Sequence, residues 1–188
     1  MNITQAHELL NTYVAGETLR RHCLTVSAVM GYWASQEGAD SEQWQTAGLL
    51  HDIDFEKYPE AHCSKAKEIL EAERARFPGI TDELIRAVQS HGWKLCCDVE
   101  PVSRMEKVLY TVDELTGLVF ACAMARPSKS VMDMEVKSVL KKFKTKAFAA
   151  GCNRAVIQEG ADMLGMELSD VIQRCIDGMR ARHEELGV

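Results

Sequence analysis

The chain has 188 residues, 46% hydrophobic and 27% charged, with a net charge of −6. That length fits one domain with a buried core, and the acidic balance argues against general binding of nucleic acid polymers, which needs a basic surface. No stretch of about 20 apolar residues is present, so no membrane-spanning helix is expected. The opening MNITQAHELL has no basic region followed by an apolar one; with no secretion signal, a cytoplasmic location is the expectation.

The hydrophobic pattern predicts helices almost throughout. Residues 4–14 form a short amphipathic start. Over residues 17–37, Leu19, Cys23, Val26, Met30 and Trp33 recur every three or four positions and mark one buried stripe, which Gly38 ends. Ser41 reads as the N-cap of a helix through Trp44, Ala47, Gly48 and Leu50. Asp54 to Pro59 reads as a loop, and Glu60 to Phe77 as a helix with a charged outer face, stopped by Pro78-Gly79. Thr81 caps a helix that turns Leu84, Ile85 and Val88 inward and ends near His91-Gly92. After a loop over 93–101, Ser103 opens a longer apolar helix to about Ala125. Pro127 and Ser128 make a break, and further helices are expected near 131–144, 152–164 and 168–185. No run alternates with a period of two, and there are no repeats, low-complexity tracts or linkers. The expected fold is all-α, in a single domain.

Seven cysteines are present: Cys23, Cys63, Cys96, Cys97, Cys122, Cys152 and Cys175. The number is odd, the spacing scattered and no C-x-x-C occurs, so neither a disulfide framework nor a structural zinc site is expected. They read as reduced, core-filling residues. Cys96-Cys97 is the one adjacent pair, for which a redox role competes with that buried role.

Of six histidines, His7 and His183 lie near the ends on polar stretches and read as surface residues. His51-Asp52 follows Leu49-Leu50 at the apolar end of a helix, where neither residue is cheap to bury unless paired or coordinated. Neighbours on a regular helix point about 100° apart, so both reach one ion only where the backbone leaves helical form. His22 lies on or beside the buried stripe. Asp113 lies among Val108, Leu109, Val112, Leu115 and Leu118, where an unpaired carboxylate is costly. A shared cation would resolve both costs. His62, near the start of its helix, and His91, near the end of its own, can point at the same centre, although each alone also reads as an ordinary core or surface histidine. Phe55 and Tyr58 follow the His-Asp pair closely enough to wall it off.

Taken in order, the chain presents His22, LLHDID at 49–54, His62, SHG at 90–92 and VDELTG at 112–117. This set resembles the HD-domain superfamily of metal-dependent phosphohydrolases over roughly residues 18–125, leaving about 126–188 as a C-terminal helical extension. The dipeptide alone is weak, whereas the ordered set on successive helices is specific. The resemblance implies an HD-type helical bundle and a minimal metal site of His22, His51, Asp52 and Asp113. His62 and His91 match the two intervening histidines that hold a second metal in many members. The chain looks like the small bacterial HDIG-type branch, with HDID at 51–54 in place of HDIG; that branch resembles the diadenosine-tetraphosphate hydrolases in the order of its histidines. The GYP element of the cyclic-di-GMP phosphodiesterases is absent, which argues against that activity.

Imidazole and carboxylate donors suit one or two divalent ions, iron or manganese first, then cobalt, nickel, zinc or magnesium. The six side chains could hold two ions about 3.5–4 Å apart with Asp52 as the bridge, orienting a phosphate and lowering the pKa of the water that attacks phosphorus in line. Asp52 and Asp54 are thus the expected catalytic carboxylates; Asp54 would position that water or orient a ligand histidine, its bland reading being a loop aspartate. Lys57 and Lys94 near the site, and Arg126, Lys129 and Arg154 in the basic segment ARPSKSVMDMEVKSVLKKFKTKAFAAGCNR, are candidates to hold the anionic substrate. That segment resembles a stretch recurring in the same small branch, and a solvated outer helix face is the competing reading. The expected activity is hydrolysis of a nucleotide, dinucleotide or other small phosphate ester, with neither a nucleic acid polymer nor a membrane as partner. A non-catalytic HD module that binds a nucleotide or a partner protein is the second reading.

Overall fold

Ten α-helices make up the regular structure of a computed structural model that describes residues 1–188. They are α1 (Ile3–Tyr13), α2 (Glu17–Glu37), α3 (Ser41–Leu50), α4 (Ser64–Glu73), α5 (Asp82–Ser90), α6 (Arg104–Met124), α7 (Val136–Phe143), α8 (Arg154–Leu164), α9 (Leu168–Ala181) and α10 (His183–Leu186). The two 21-residue helices, α2 and α6, form the axis of the bundle. α3 and α9 pack on α2, and α8 packs on α6. The core runs unbroken from Ala6 to Val188, so Val139, Ile157, Val171 and Ile176 of the C-terminal extension share one cluster with Trp33 and Leu115. No helix is long and apolar enough to cross a membrane.

Two local features set the position of the later site. Gly48 lets α3 approach α2 closely: a Cβ there would lie 3.0 Å from the Ser27 backbone and 2.9 Å from Met30 Cγ. Across the same contact the Ser27 hydroxyl donates to the Gln45 carbonyl at 2.9 Å. The start of α2 is then tied to the loop after α3, because the Glu56 carboxylate accepts from the Ala15 and Gly16 amides at 3.0 and 2.8 Å. At the far end of α2, Glu37 binds Arg104 of α6 at 2.8 Å and Arg174 of α9 at 3.0 Å.

The elements follow the hydrophobic pattern, with differences at their ends. Asp40, not Ser41, caps α3 by accepting from the Gln43 amide, while the Ser41 hydroxyl donates to the Gly31 carbonyl. The helix expected over 60–77 is broken: Pro59–Ala61 form one 3₁₀ turn and α4 starts only at Ser64. Pro59 contributes no N–H and a fixed φ, which favours such a turn, and Cys63 takes a left-handed φ of 66° before α4. The Asp54 carboxylate then accepts the Ala66 amide in the first turn of α4 at 2.8 Å, as an N-terminal capping group does. α7 begins at Val136, not at 131, because Arg180 draws the carbonyls of Val131 and Met134 into a turn. Asn153 caps α8, whose first residue is Arg154, not 152. The last predicted helix divides into α9 and α10 at Arg182, whose φ of −133° leaves helical geometry.

Candidate metal centre

Donors converge from five segments. α2 supplies His22 and α6 supplies Asp113; His51 and Asp52 follow the end of α3, His62 lies between the 3₁₀ turn and α4, and His91 follows α5. After Leu50 the backbone tightens: Ile53 donates to the Leu50 carbonyl and Phe55 to that of Asp52, each three residues back. The tighter turn lets His51 and Asp52 both face the centre while Ile53 drops into the core at 0% exposure.

The donors fall into two halves. In the first, His22 Nε2 lies 3.1 Å from His51 Nε2 and 2.9 Å from Asp113 Oδ1, and His51 Nε2 lies 3.3 Å from the same oxygen. In the second, His62 Nε2 lies 3.0 Å from His91 Nε2. Asp52 stands between them. Its Oδ2 faces His51 at 3.4 Å and His22 at 3.7 Å, and its Oδ1 faces His62 at 3.3 Å and His91 at 3.6 Å.

Hydrogen bonds on the far side of the rings fix what these Nε2 atoms present. Nδ1 of His51 donates to the Gly48 carbonyl at 2.8 Å, Nδ1 of His91 to the Val88 carbonyl, and Nδ1 of His62 to Asp54 Oδ1 at 2.7 Å. Those acceptors can only accept, so each neutral ring directs an Nε2 lone pair inward. The His62 and His91 lone pairs, facing one another at 3.0 Å, repel, and a cation between them turns that repulsion into coordination. The donor set therefore fits divalent ions: His22, His51, Asp113 and Asp52 on one side, His62, His91 and Asp52 on the other.

The electrostatics agree. Burial opposes a proton on His51, yet Asp52 and then Asp113 outweigh it and hold the imidazole pKa well above its usual value. Burial also opposes charge on Asp52 and Asp113, but the neighbouring histidines, His51 first, hold both carboxyls below the usual range. A site that attracts a proton this strongly attracts a metal cation for the same reason.

The centre opens into a cavity of about 400 Å³ walled by Phe55, Pro59, Leu95, Cys96, Glu114 and Cys152. Phe55 sets its ring edge against His62, with centroids 5.1 Å apart. Tyr58 stands outside the wall, beneath the Lys65 ammonium. A smaller recess of about 160 Å³ adjoins through His22 and Gly117 and is lined by Thr18, Arg21, Thr25, Thr116 and Phe120.

The profile of the HD domain family matches residues 19–114, about half of the chain. The chain belongs to the HD-domain family of metal-dependent phosphohydrolases. Among curated proteins it is similar to Ribonuclease Y of Geobacter metallireducens, 28% identical over 83% of this chain and 28% of that protein. Ribonuclease Y of Pelobacter propionicus is 28% identical over 82% of this chain and 28% of its own length. The protein of the same name from Syntrophotalea carbinolica is 28% identical over 90% of the chain and 32% of its length. The chain thus spans under a third of the length of these relatives. No solved structure matches it.

Within this HD domain, Asp54 has the supporting place. It is 0% exposed, and its two oxygens accept from His62 Nδ1 and the Ala66 amide. It orients the His62 ring and does not line the cavity, so the water-positioning alternative is not the one its geometry serves.

The five basic candidates do not line the cavity. The Lys57 ammonium lies 5.3 Å from the Tyr13 ring centroid. Lys94 bonds Glu159 at 2.6 Å and covers the Trp93 ring at 3.9 Å. Arg126 pairs with Asp133 at 2.8 Å. Lys129 is exposed in the turn after α6, at a φ of 49°. Arg154 turns back onto the carbonyls of Phe148, Ala149 and Cys152 and closes the loop before α8. Proximity in sequence misled for Lys57 and Lys94, because each found a nearer aromatic or acidic partner.

Two groups of cavity residues were not anticipated. Glu114 follows Asp113, lines the cavity and accepts the Asn153 amide at 2.8 Å, which holds the loop before α8 against the site. Burial first, and then Asp113, raise its pKa. The Asp-Glu pair in VDELTG was the signal available for it. Cys96 and Cys152 carried no such signal, because no spacing rule connects either to the histidines.

Proposed function

We propose that this HD domain hydrolyses a nucleotide, dinucleotide or other small phosphate ester, using one or two divalent ions. The observation that carries the proposal is the split of Asp52, which faces a separate pair of imidazole Nε2 atoms with each carboxylate oxygen. Iron and manganese suit this all-imidazole and carboxylate set. Bound there, divalent ions neutralise phosphoryl charge and make a water a competent nucleophile near neutral pH. The chain's own groups prepare that chemistry. Asp52 keeps the two halves in register, the Gly48 and Val88 carbonyls lock the rings of His51 and His91, and Asp54 locks His62. Phe55 packs against the His62 ring, with centroids 5.1 Å apart, at the cavity wall.

The recess beside His22 supports a nucleotide reading. The Arg21 guanidinium lies 5.1 Å from the Phe120 ring centroid, and Thr18, Thr25 and Thr116 complete the lining, with the Thr25 and Thr116 hydroxyls donating to the Arg21 and Asp113 carbonyls. Such a largely apolar recess offers a planar base an aromatic edge beside a guanidinium while its phosphate occupies the metal centre. A second reading comes from the relatives, whose name denotes a ribonuclease: the substrate is then an RNA phosphodiester. The net charge of −6 favours the small substrate over a polymer.

The test is elemental analysis of anaerobically purified protein, followed by a hydrolysis screen of nucleotides, dinucleotides and short RNA. Metal with turnover of a small phosphate ester is the expected result. Cleavage confined to RNA selects the second reading. Metal without turnover on any member of the panel selects the non-catalytic HD module that binds a nucleotide or a partner protein. Protein that takes up no divalent ion overturns the proposal.

A further inference from the structure

We propose that Cys96 and Cys63 are an oxidant-reactive thiol and its resolving partner, forming a reversible disulfide beside the metal centre. The two sulfurs lie 3.0 Å apart, although 33 residues separate them in sequence. Cys63 follows His62 directly, and Cys96 lies in the loop that leaves His91-Gly92. Gly92 makes room for both: a Cβ there would meet Cys96 Sγ at 2.3 Å and Cys63 Sγ at 2.4 Å. Cys63 is buried, whereas Cys96 is exposed and forms part of the cavity wall. An oxidant entering the cavity therefore meets Cys96 first, with Cys63 already in place behind it.

Two competing uses of these sulfurs fit less well. A tetrahedral zinc with Zn–S bonds of about 2.3 Å holds its sulfurs roughly 3.8 Å apart, wider than the 3.0 Å seen. The third donor near the pair is His62, whose Nδ1 is committed to Asp54 and whose Nε2 faces His91. The adjacent Cys97 donates its thiol to the Gln89 carbonyl at 3.1 Å and is a third sulfur interacting with the pair, so a Cys97→Ser variant separates its part from theirs.

The oxidant is a peroxide. Cys96 sulfur attacks one peroxide oxygen, the O–O bond breaks, and Cys96 becomes a sulfenic acid as one water leaves. Cys63 sulfur then attacks Cys96 sulfur; the S–S bond forms, the S–O bond breaks, and the hydroxyl departs as a second water with the Cys63 proton. Two thiols are oxidised, one peroxide is reduced, and a dithiol reverses the step. The new bond draws on the residue after His62 and on the loop that follows His91, so it loosens the His62 and His91 half first. The bond forms independently of the catalytic reading, whereas its effect on hydrolysis rests on that reading.

The experiment treats manganese-loaded wild-type protein with hydrogen peroxide, so that oxidation of a ferrous ion does not confound it. Free thiols are then blocked and peptides mapped without reduction. The expected product is a Cys63–Cys96 linked peptide that dithiothreitol removes, that Cys97→Ser retains, and that Cys96→Ser lacks. Metal content of the same samples is expected to fall on oxidation and recover on reduction with added manganese. Hydrolysis is expected to fall at least about tenfold, the scale of losing a group that orients a ligand. A Cys96–Cys97 link, thiols that all remain alkylatable, or oxidised Cys96 without a link overturns the proposal, whatever the hydrolysis assay shows. A Cys63–Cys96 link that leaves metal content unchanged overturns its coupling to the centre.

Discussion

The two halves of the candidate metal centre are built by different means. His22 and Asp113 stand on the long helices α2 and α6, and His51 closes α3, so that half inherits the rigidity of the bundle core. His62 lies in a break between a 3₁₀ turn and a helix, and His91 caps a helix that runs into a tight loop. There the rigidity comes from side chains: Asp54 holds the His62 ring, and the packed sulfurs of Cys63 and Cys96 sit against Gly92. A helix-held donor is costly to move because the core must move with it. A turn-held donor is as firm as the few hydrogen bonds behind it, which suits it to modulation.

The largest effect is expected where the halves meet. Asp52→Ala, alone or with His51→Ala, should strip metal from both and lower turnover by at least about 100-fold, beyond the loss from removing an orienting partner. Elemental analysis with initial rates measures it, and full metal content in the double variant would mean the centre is misplaced. Next come His62→Ala and Asp54→Asn, which act on the turn-held half only. One class of metal site should weaken, by about 10–100-fold for Asp54→Asn, while the His22 half keeps its ion. A calorimetric metal titration reads this directly, and simultaneous loss of both classes would erase the distinction between the halves.

Gly48→Ala probes the helix-held half without touching a ligand. Its new methyl group meets the Ser27 backbone and Met30, so urea denaturation should show a loss of about 1–3 kcal/mol, typical of overpacking. An unchanged midpoint would show that α2 and α3 can separate freely. A smaller effect is expected at Glu37, remote from the centre. Arg104 first, against burial, and then Trp33 and Arg174 hold its carboxyl below the usual range. A depressed carboxylate contributes stability above its unfolded pKa of about 4.3, and that contribution is lost as pH falls through the lower folded value. Glu37→Gln should flatten stability against pH in that acid window, by under about 1 kcal/mol because the site is partly open to solvent. The smallest effect belongs to Lys94→Ala, which should leave KM within about threefold, as for a screened surface charge; a large rise in KM would return Lys94 to the substrate's path.

Much of this was legible in the chain. Three- and four-residue periodicity located the helices because burial of one face drives them, and α2, α5 and α6 fall close to their expected bounds. The convergence of His22, His51, Asp52 and Asp113 was legible because an imidazole or carboxylate on an apolar face needs a partner, whereas His62 and His91 were legible only from their order in the family pattern. Helix ends were less so: Asp40 displaced Ser41 as a cap, and Pro59 with the Asp54 carboxylate broke a helix that composition alone left whole.

The sequence by itself determined an all-α chain with inward histidines and aspartates in the order of an HD domain, since periodicity and the cost of buried polar groups act locally. Only the tertiary structure decided which oxygen of Asp52 faces which half, that Asp54 supports His62, that Lys94 and Arg126 are held by Glu159 and Asp133, and that Cys63 meets Cys96 over Gly92. Each of these is a contact between segments whose separation the chain does not encode in any repeat. Direction and distance between such groups exist only once the core has packed and the helices hold their ends in place.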